Sequence, residues 1–221
     1  MKRTALHIVF IYTSVFLMMA AQCSEQNKNL ANRKSVAALK LKNSFESDSL
    51  AEQTKIAFEE RAIQKLYDFA DYVNICSEKK LEKTFRDQSA EMITGLFLND
   101  SVAINSIFIN KNKDQILSPG NFVESLSGSK YNSLIIKISD VETVEHLHLT
   151  PDGLYIGRLN FNLQTSGITD NDTLSICNSR ITVKIIAARL HKNFGTDERY
   201  IWNVFLGDMD EIKSDAGEVL Q

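Results

Sequence analysis

Proline and cysteine are scarce in this chain: two prolines and three cysteines in 221 residues, beside nine glycines and a single tryptophan. So few cysteines exclude a disulfide-stapled miniature scaffold, and so few prolines and glycines exclude collagen-like and proline-rich architectures. A block of like charge is missing too, since 25 basic residues are interspersed with 28 acidic ones for a net charge of −3. Aromatics do not alternate with basic residues. Nothing therefore builds an electrostatic or stacking platform, and nucleic acid is not an expected partner. Local catalytic signatures are absent as well: no Gly-x-Ser-x-Gly elbow, phosphate loop, dinucleotide fingerprint or His-Glu-x-x-His pair occurs. Neither a cofactor nor a metal is expected. What is present is an ordinary globular composition, 43% hydrophobic and 24% charged, in a chain long enough to bury a sizeable core.

The amino terminus carries the first positive signal. Met1-Lys2-Arg3 is followed by an almost uncharged apolar run from Thr4 to Ala21, and the composition turns polar after Cys23. This pattern predicts a signal peptide over 1–22; a retained membrane anchor is the competing reading, weakened by His7, Tyr12, Thr13 and Ser14. Ala20-Ala21-Gln22-Cys23 resembles a bacterial lipobox, with Ala20 and Gln22 departing from its usual residues. The resemblance implies lipid attachment at Cys23 and a membrane as partner, in the cell envelope on the periplasmic side or at the outer membrane. Ordinary cleavage near Ala20 to Gln22 is the alternative. The polar stretch 23–48 reads as a flexible tether and 213–221 as a polar tail. Setting Cys23 aside leaves Cys76 and Cys177. An oxidising compartment permits a disulfide between them, and two buried apolar thiols fit equally well. They are too few for a structural zinc site.

Over 49–212 the periodicity predicts one domain. Ser49 with Glu52 matches a capping box, and Ala62, Ile63, Leu66, Phe69, Ala70 and Val73 then follow helical spacing to about Ile75. Ser77 is the next cap candidate, with Leu81, Phe85, Met92 and Leu96 as the apolar face of a second helix. Ser101 to Ile109 reads as a strand, Asn110 to Gln115 as a polar loop, and Ser118-Pro119 as the opening of a third helix that Gly128 ends. From Leu134 the chain is strand and turn, with Thr150-Pro151-Asp152-Gly153 as a type I turn. The last two strands are the expected sheet centre: Arg180 to Leu190, then Arg199 to Asp208, joined by a polar loop from His191 to Glu198. Helices ahead of a meander indicate an α+β fold, with two to three N-terminal helices packed on a curved antiparallel sheet.

Three segments carry a family likeness: Ala62-Ile63-Gln64-Lys65-Leu66-Tyr67-Asp68-Phe69, Ala90-Glu91-Met92-Ile93-Thr94-Gly95-Leu96-Phe97 and Trp202-Asn203-Val204-Phe205-Leu206-Gly207-Asp208. In this order the chain resembles the nuclear transport factor 2-like (NTF2-like, cystatin-like cone) superfamily, and most of all its secreted Bacteroidetes-type members. The resemblance implies a cone-shaped pocket between helices and sheet, in a fold that hosts enzymes, ligand binders and assembly modules alike. Asp48-Ser49-Leu50, Asp100-Ser101-Val102 and Asp172-Thr173-Leu174 also resemble the short O-glycosylation motif of such organisms.

No catalytic residue is assigned. His146 and His148 share a strand face at a spacing that can chelate a metal, with no third ligand in view, so a solvated strand is the reading. Asp68 and Asp71 with Tyr67 and Tyr72 suggest the acid/base pairs of ketosteroid-isomerase-like members, yet they fall on the polar side of their helix. Tyr155, Phe161 and Trp202 are candidates to line a pocket or to fill the core. The expected function is non-catalytic: an envelope protein binding a small apolar ligand or a protein partner. A pocket enzyme of isomerase or dehydratase type is one alternative. A structural module that homodimerises through an apolar row of Ile186, Leu190, Ile201 and Phe205 is another.

Overall fold

The protein is described from a computed structural model. Two compact units divide the chain, Met1–Leu50 and Ala51–Gln221, and the structure describes residues 49–109, 115–194 and 197–212. The expected signal peptide (1–22), Cys23, the expected tether (23–48), most of the polar loop before Gln115 and the expected polar tail (213–221) lie outside the described residues. Among the described residues no helix is long and apolar enough to cross a membrane.

Three helices precede or interrupt the strands: α1 (Glu52–Ser77), α2 (Lys83–Gly95) and α3 (Pro119–Ser127). The strands are β1 (Ile104–Asn105), β2 (Ile116–Leu117), β3 (Ser133–Leu149), β4 (Tyr155–Ile168), β5 (Thr173–Phe194) and β6 (Asp197–Glu211). They form one six-stranded sheet in the order β2-β1-β6-β5-β4-β3. This is the α+β arrangement that the NTF2-like resemblance implies, with β5 and β6 at its centre as their two-sided apolar pattern predicts. The sheet is mixed rather than purely antiparallel, because the short β1 runs parallel to β6, Ile104 opposite Met209. The stretch read as a strand from Ser101 to Ile109 pairs only at Ile104–Asn105. Asn105 then accepts the Ile107 N–H with its own side chain, which turns the chain into a 3₁₀ turn over Ser106–Phe108.

Several helix ends differ from expectation. Ala51, not Ser49, is the N-cap of α1, and it makes no side-chain cap bond. Ser77 closes α1 rather than opening α2, whose N-cap is Glu82. Ser118 does cap α3, its hydroxyl accepting the Asn121 N–H at 3.3 Å ahead of Pro119 at the first turn. The polar stretch from His191 to Glu198 is no open loop. The ladder continues out to Phe194 opposite Asp197, since backbone pairing needs no apolar side chains, and the His191 ring lies tilted against its cross-strand neighbour Tyr200 at 5.1 Å.

Aromatics knit the interior. Phe69 of α1 meets Phe97, Phe108 and Phe122 at centroid distances of 6.0, 5.7 and 5.6 Å, the first two edge-on. Phe161, Leu159 and Leu163 of β4 and Ile181, Val183 and Ile185 of β5 are fully buried, one side of each strand. At β6 a register shift opposite Val183 to Ile185 accommodates Gly207 and Asp208. A Cβ on Gly207 would come within 3.0 Å of Ile186 and 3.1 Å of Lys184. Beside it, Asp208 accepts the Ala103 N–H at 3.0 Å and pairs with Lys184 at 2.9 Å, which ties the segment before β1 to the sheet. Burial alone would raise the Asp208 carboxyl, but the Ala103 N–H and Lys184 outweigh it and hold the group below the usual carboxylate range.

The two cysteines stay apart as buried thiols, Cys76 in the last turn of α1 and Cys177 in β5, with no disulfide between them. Burial pushes the Cys76 thiol above its ordinary value. The apolar row proposed for dimerisation is also taken up within the protomer. Ile186 and Phe205 are buried, Leu190 and Ile201 half-buried, and the Lys65 amine lies 5.6 Å from the Phe205 ring centre.

Candidate functional site

The sheet's first edge is β3, and α1 lies along it. An edge strand leaves every second N–H and C=O without a ladder partner. Polar side chains of α1 supply the partners. Asn74 accepts the Ile136 N–H at 2.6 Å and donates to the Ile136 carbonyl at 3.3 Å. Ser77 accepts the Leu134 N–H at 3.0 Å. At the far end Glu59, buried on α1, accepts the Leu147 N–H at 2.8 Å with one oxygen and contacts His146 Nδ1 at 3.0 Å with the other. The Glu59 contact falls within the irregularity between Glu145 and His148, where the β3–β4 register shifts.

Glu59 is the buried carboxylate that the sequence reading missed. Its partners lie nearly ninety residues away, and beside Glu60 on a polar-rich helix nothing local distinguishes it. The Glu59–His146 pair has the form of an oriented imidazole, in which a carboxylate on Nδ1 leaves Nε2 outward. The imidazole side chain is 81% exposed, however, and no wall excludes water around it. His148 turns to Glu145, at 3.5 Å, so the two histidines do not converge. Among the described residues no group of three His, Cys, Asp or Glu is placed to hold a metal.

Of the two readings open for Tyr155, Phe161 and Trp202, pocket wall or core, their burial fits the core. Tyr155 and Trp202 are 5% and 4% exposed and meet edge-on at 5.3 Å, and Phe161 is wholly buried. They belong to the core because the space between helices and sheet is filled by side chains.

An open groove of about 610 Å³ lies beside that core, between α1 and the β3–β4 side of the sheet. Tyr67 and Asp71 reach it from α1, Lys137 from β3, Asn162 and Gln164 from β4, and Asn178 from β5. The sequence reading named Tyr67 and Asp71 as one half of an acid/base group, and the structure does bring them to one opening. Asp68 is instead taken by Gln64, at 2.9 Å, and Asp71 is exposed to water, so no buried base results. Register places Lys137 opposite Gln164 and Gln164 opposite Asn178, a polar row across three strands. Among the described residues, Tyr67, Asp71, Lys137, Gln164 and Asn178 make no side-chain hydrogen bond or ion pair, whereas Asn162 donates to Asp140 at 2.6 Å and accepts from Arg180 at 3.0 Å. That second set of contacts pins a bulge at Asp140, whose φ of 51° is the only positive value at a non-glycine residue among the described residues. A smaller cleft of about 360 Å³ is lined by Gln115, Ser129, Lys130 and Tyr131 among others and holds none of the candidate catalytic, metal or pocket residues.

No protein-family model matches the sequence, and no curated protein does. Among solved structures, the fold is similar to a scytalone-dehydratase-like protein from Novosphingobium aromaticivorans DSM 12444, with 8% identity and a TM-score of 0.35 over 72% of this chain and 91% of that one. It is also similar to a hexachlorocyclohexane dehydrochlorinase, with 9% identity and a TM-score of 0.32 over 73% of this chain and 94% of that one. Superposition at this level transfers no residue role.

Proposed function

We propose that this NTF2-like α+β cone is a non-catalytic binding module of a bacterial envelope, tethered through lipid at Cys23, which takes a polar ligand in the groove between α1 and the β3–β4 side of the sheet. The supporting observation is the contrast between interior and groove. Phe69, Phe108, Phe122 and Phe161 fill the cone where an apolar ligand would lie, while the groove presents five polar side chains with unspent donors and acceptors. The sequence leads to an apolar ligand or a protein partner; the lining of this groove favours a polar ligand, or a polar segment of a protein partner. Tyr67 offers a ring face, Lys137 and Asp71 opposite charges, and the amides of Gln164 and Asn178 both donors and acceptors. The apolar run, the lipobox-like Cys23 and the polar stretch behind it support the location.

One observation favours the enzyme alternative, the carboxylate-oriented imidazole of His146. Its position in open solvent favours a structural role for Glu59.

Native mass spectrometry of the full-length protein from its own envelope tests the reading. A non-covalent polar adduct that disappears in Tyr67→Ala/Gln164→Ala is the expected result. An adduct indifferent to those substitutions, or its loss on replacing Trp202 alone, would refute it.

A further inference from the structure

Tyr67, Asp71 and Asn74 follow one another at helical spacing on the side of α1 that meets the edge strand β3. Asn74 ends this row by holding both backbone groups of Ile136, the N–H at 2.6 Å and the carbonyl at 3.3 Å. The β3–β4 register is unbroken from Ser133 to Ser139, so the backbone of Ile138, next in the alternation, faces outward at the same edge. Ile138 lines the groove, and among the described residues no side chain reaches its N–H or carbonyl. Just beyond it the register shifts and Asp140 takes its positive φ of 51°. A peptide that joins a sheet as a further strand needs a run of open N–H and C=O groups. Here a single outward residue stands between a capped neighbour and a bulge. A protein segment therefore fits this edge poorly, while one N–H and one C=O remain for a ligand that can use a single donor and acceptor.

The lining side chains lead to the same chemistry. Lys137, Gln164 and Asn178 lie opposite one another on β3, β4 and β5, a row about 10 Å long at the usual strand spacing. Each amide offers donor and acceptor together, as two neighbouring hydroxyls do, so amide and diol can satisfy each other with two bonds. Lys137 and Asp71 are the only charged residues of the lining among the described residues, and their charges cancel. The groove thus selects neither anion nor cation. Tyr67, 39% exposed, adds an aromatic ring at the helical wall. Such a ring suits the C–H face of a pyranose, which is apolar while its rim carries the hydroxyls.

Resting on this groove as the binding site of the protein, we propose that its ligand is a short neutral oligosaccharide. One sugar ring lies against Tyr67. Neighbouring hydroxyls bond the amides of Gln164 and Asn178, the Lys137 amine and the backbone of Ile138. Three features together set the class: an aromatic wall, paired amides without net charge, and an edge with no room for a further strand.

The test uses the full-length protein in a detergent without a sugar headgroup, read by saturation-transfer nuclear magnetic resonance. The probes are neutral gluco-, manno- and chito-tetraoses, a galacturonate tetramer, and an end-blocked tetrapeptide of serine and asparagine. At least one neutral tetraose should bind, with saturation strongest on its ring C–H protons, and the galacturonate tetramer should bind no more tightly. Tyr67→Ala should weaken that saccharide at least about tenfold, and Tyr67→Phe, which keeps the ring, should retain most of the binding. Gln164→Leu/Asn178→Leu should also weaken it about tenfold, and the bound saccharide should slow hydrogen exchange at the Ile138 amide. These three side chains are exposed, so the variants should melt with the parent protein. Failure of every neutral tetraose to bind, or binding of the galacturonate tetramer alone, would overturn the proposal. If the tetrapeptide binds instead and Tyr67→Ala abolishes it, the groove stands as a site and only the ligand class falls. A saccharide held equally by the parent and by the groove variants would overturn the groove as the site as well.

Discussion

Glu59 gives the sharpest test of how this fold is held. Its carboxylate accepts the Leu147 N–H of the edge strand at 2.8 Å in a buried setting and contacts His146 at 3.0 Å on the surface. If the bond to Leu147 is what matters, Glu59→Ala strands a buried N–H and removes a charge-assisted bond. That costs about 2–3 kcal/mol. For a domain of this size, roughly 3 °C of melting temperature accompanies each kcal/mol, so the midpoint should fall by about 6–9 °C. His146→Ala removes only an exposed partner and should cost less than about 1 kcal/mol. Glu59→Gln keeps an acceptor for Leu147 and should fall between the two. Urea titration of the three variants, with hydrogen exchange at Leu147, measures each term. Equal losses in Glu59→Ala and His146→Ala would show that the ion pair carries the energy and refute the argument.

Other consequences follow from the same contacts. Asp208 sits below the ordinary carboxylate range, so its contribution is full above the unfolded-state value and is lost as the pH falls through the folded one. The urea midpoint of the parent protein should therefore drop more steeply on acidification than that of Asp208→Asn. Phe69→Ala empties the centre of the aromatic cluster and should cost about 3–5 kcal/mol by chemical denaturation, with the near-ultraviolet circular dichroism weakened. A Cβ on Gly167 would stand 2.4 Å from the Tyr131 ring, so Gly167→Ala should lower the melting temperature and Tyr131→Ala in the same chain should recover part of the loss. The Cys76 thiol, buried and shifted upward, should resist maleimide in the native protein and label fully in denaturant, as peptide mapping would show.

Periodicity was readable wherever a single element faced a single core. Of the α1 stripe, Ala62, Leu66, Phe69, Ala70 and Val73 are buried as its spacing predicts and Ile63 is half-buried, and the β5 and β6 runs form the sheet centre. Ser118-Pro119 opens α3 because cap and first-turn proline depend on neighbours only. Readings that needed a distant partner failed. Ser77 looks like a cap and is spent on Leu134 instead, and of the periodic face Leu81, Phe85, Met92 and Leu96 only Leu96 is buried. Tyr155, Phe161 and Trp202 have the residue types of a pocket wall, but whether an aromatic lines a space or fills it depends on what faces it. The groove draws on α1, β3, β4 and β5 together, and no window of sequence contains all of them.

The contacts from Glu59, Asn74 and Ser77 to β3 also bear on how the chain comes to be folded. A chain synthesised amino terminus first presents α1 before any of the long strands exists. When β3 arrives, its outer edge meets a helix already carrying the matching acceptors and donors, while β4 is still to come. In the finished sheet β3 is thus a margin whose backbone groups are partly covered, and β4, β5 and β6 follow it inward in chain order. Three polar side chains on one helix therefore make this edge a poorer template for pairing with another chain.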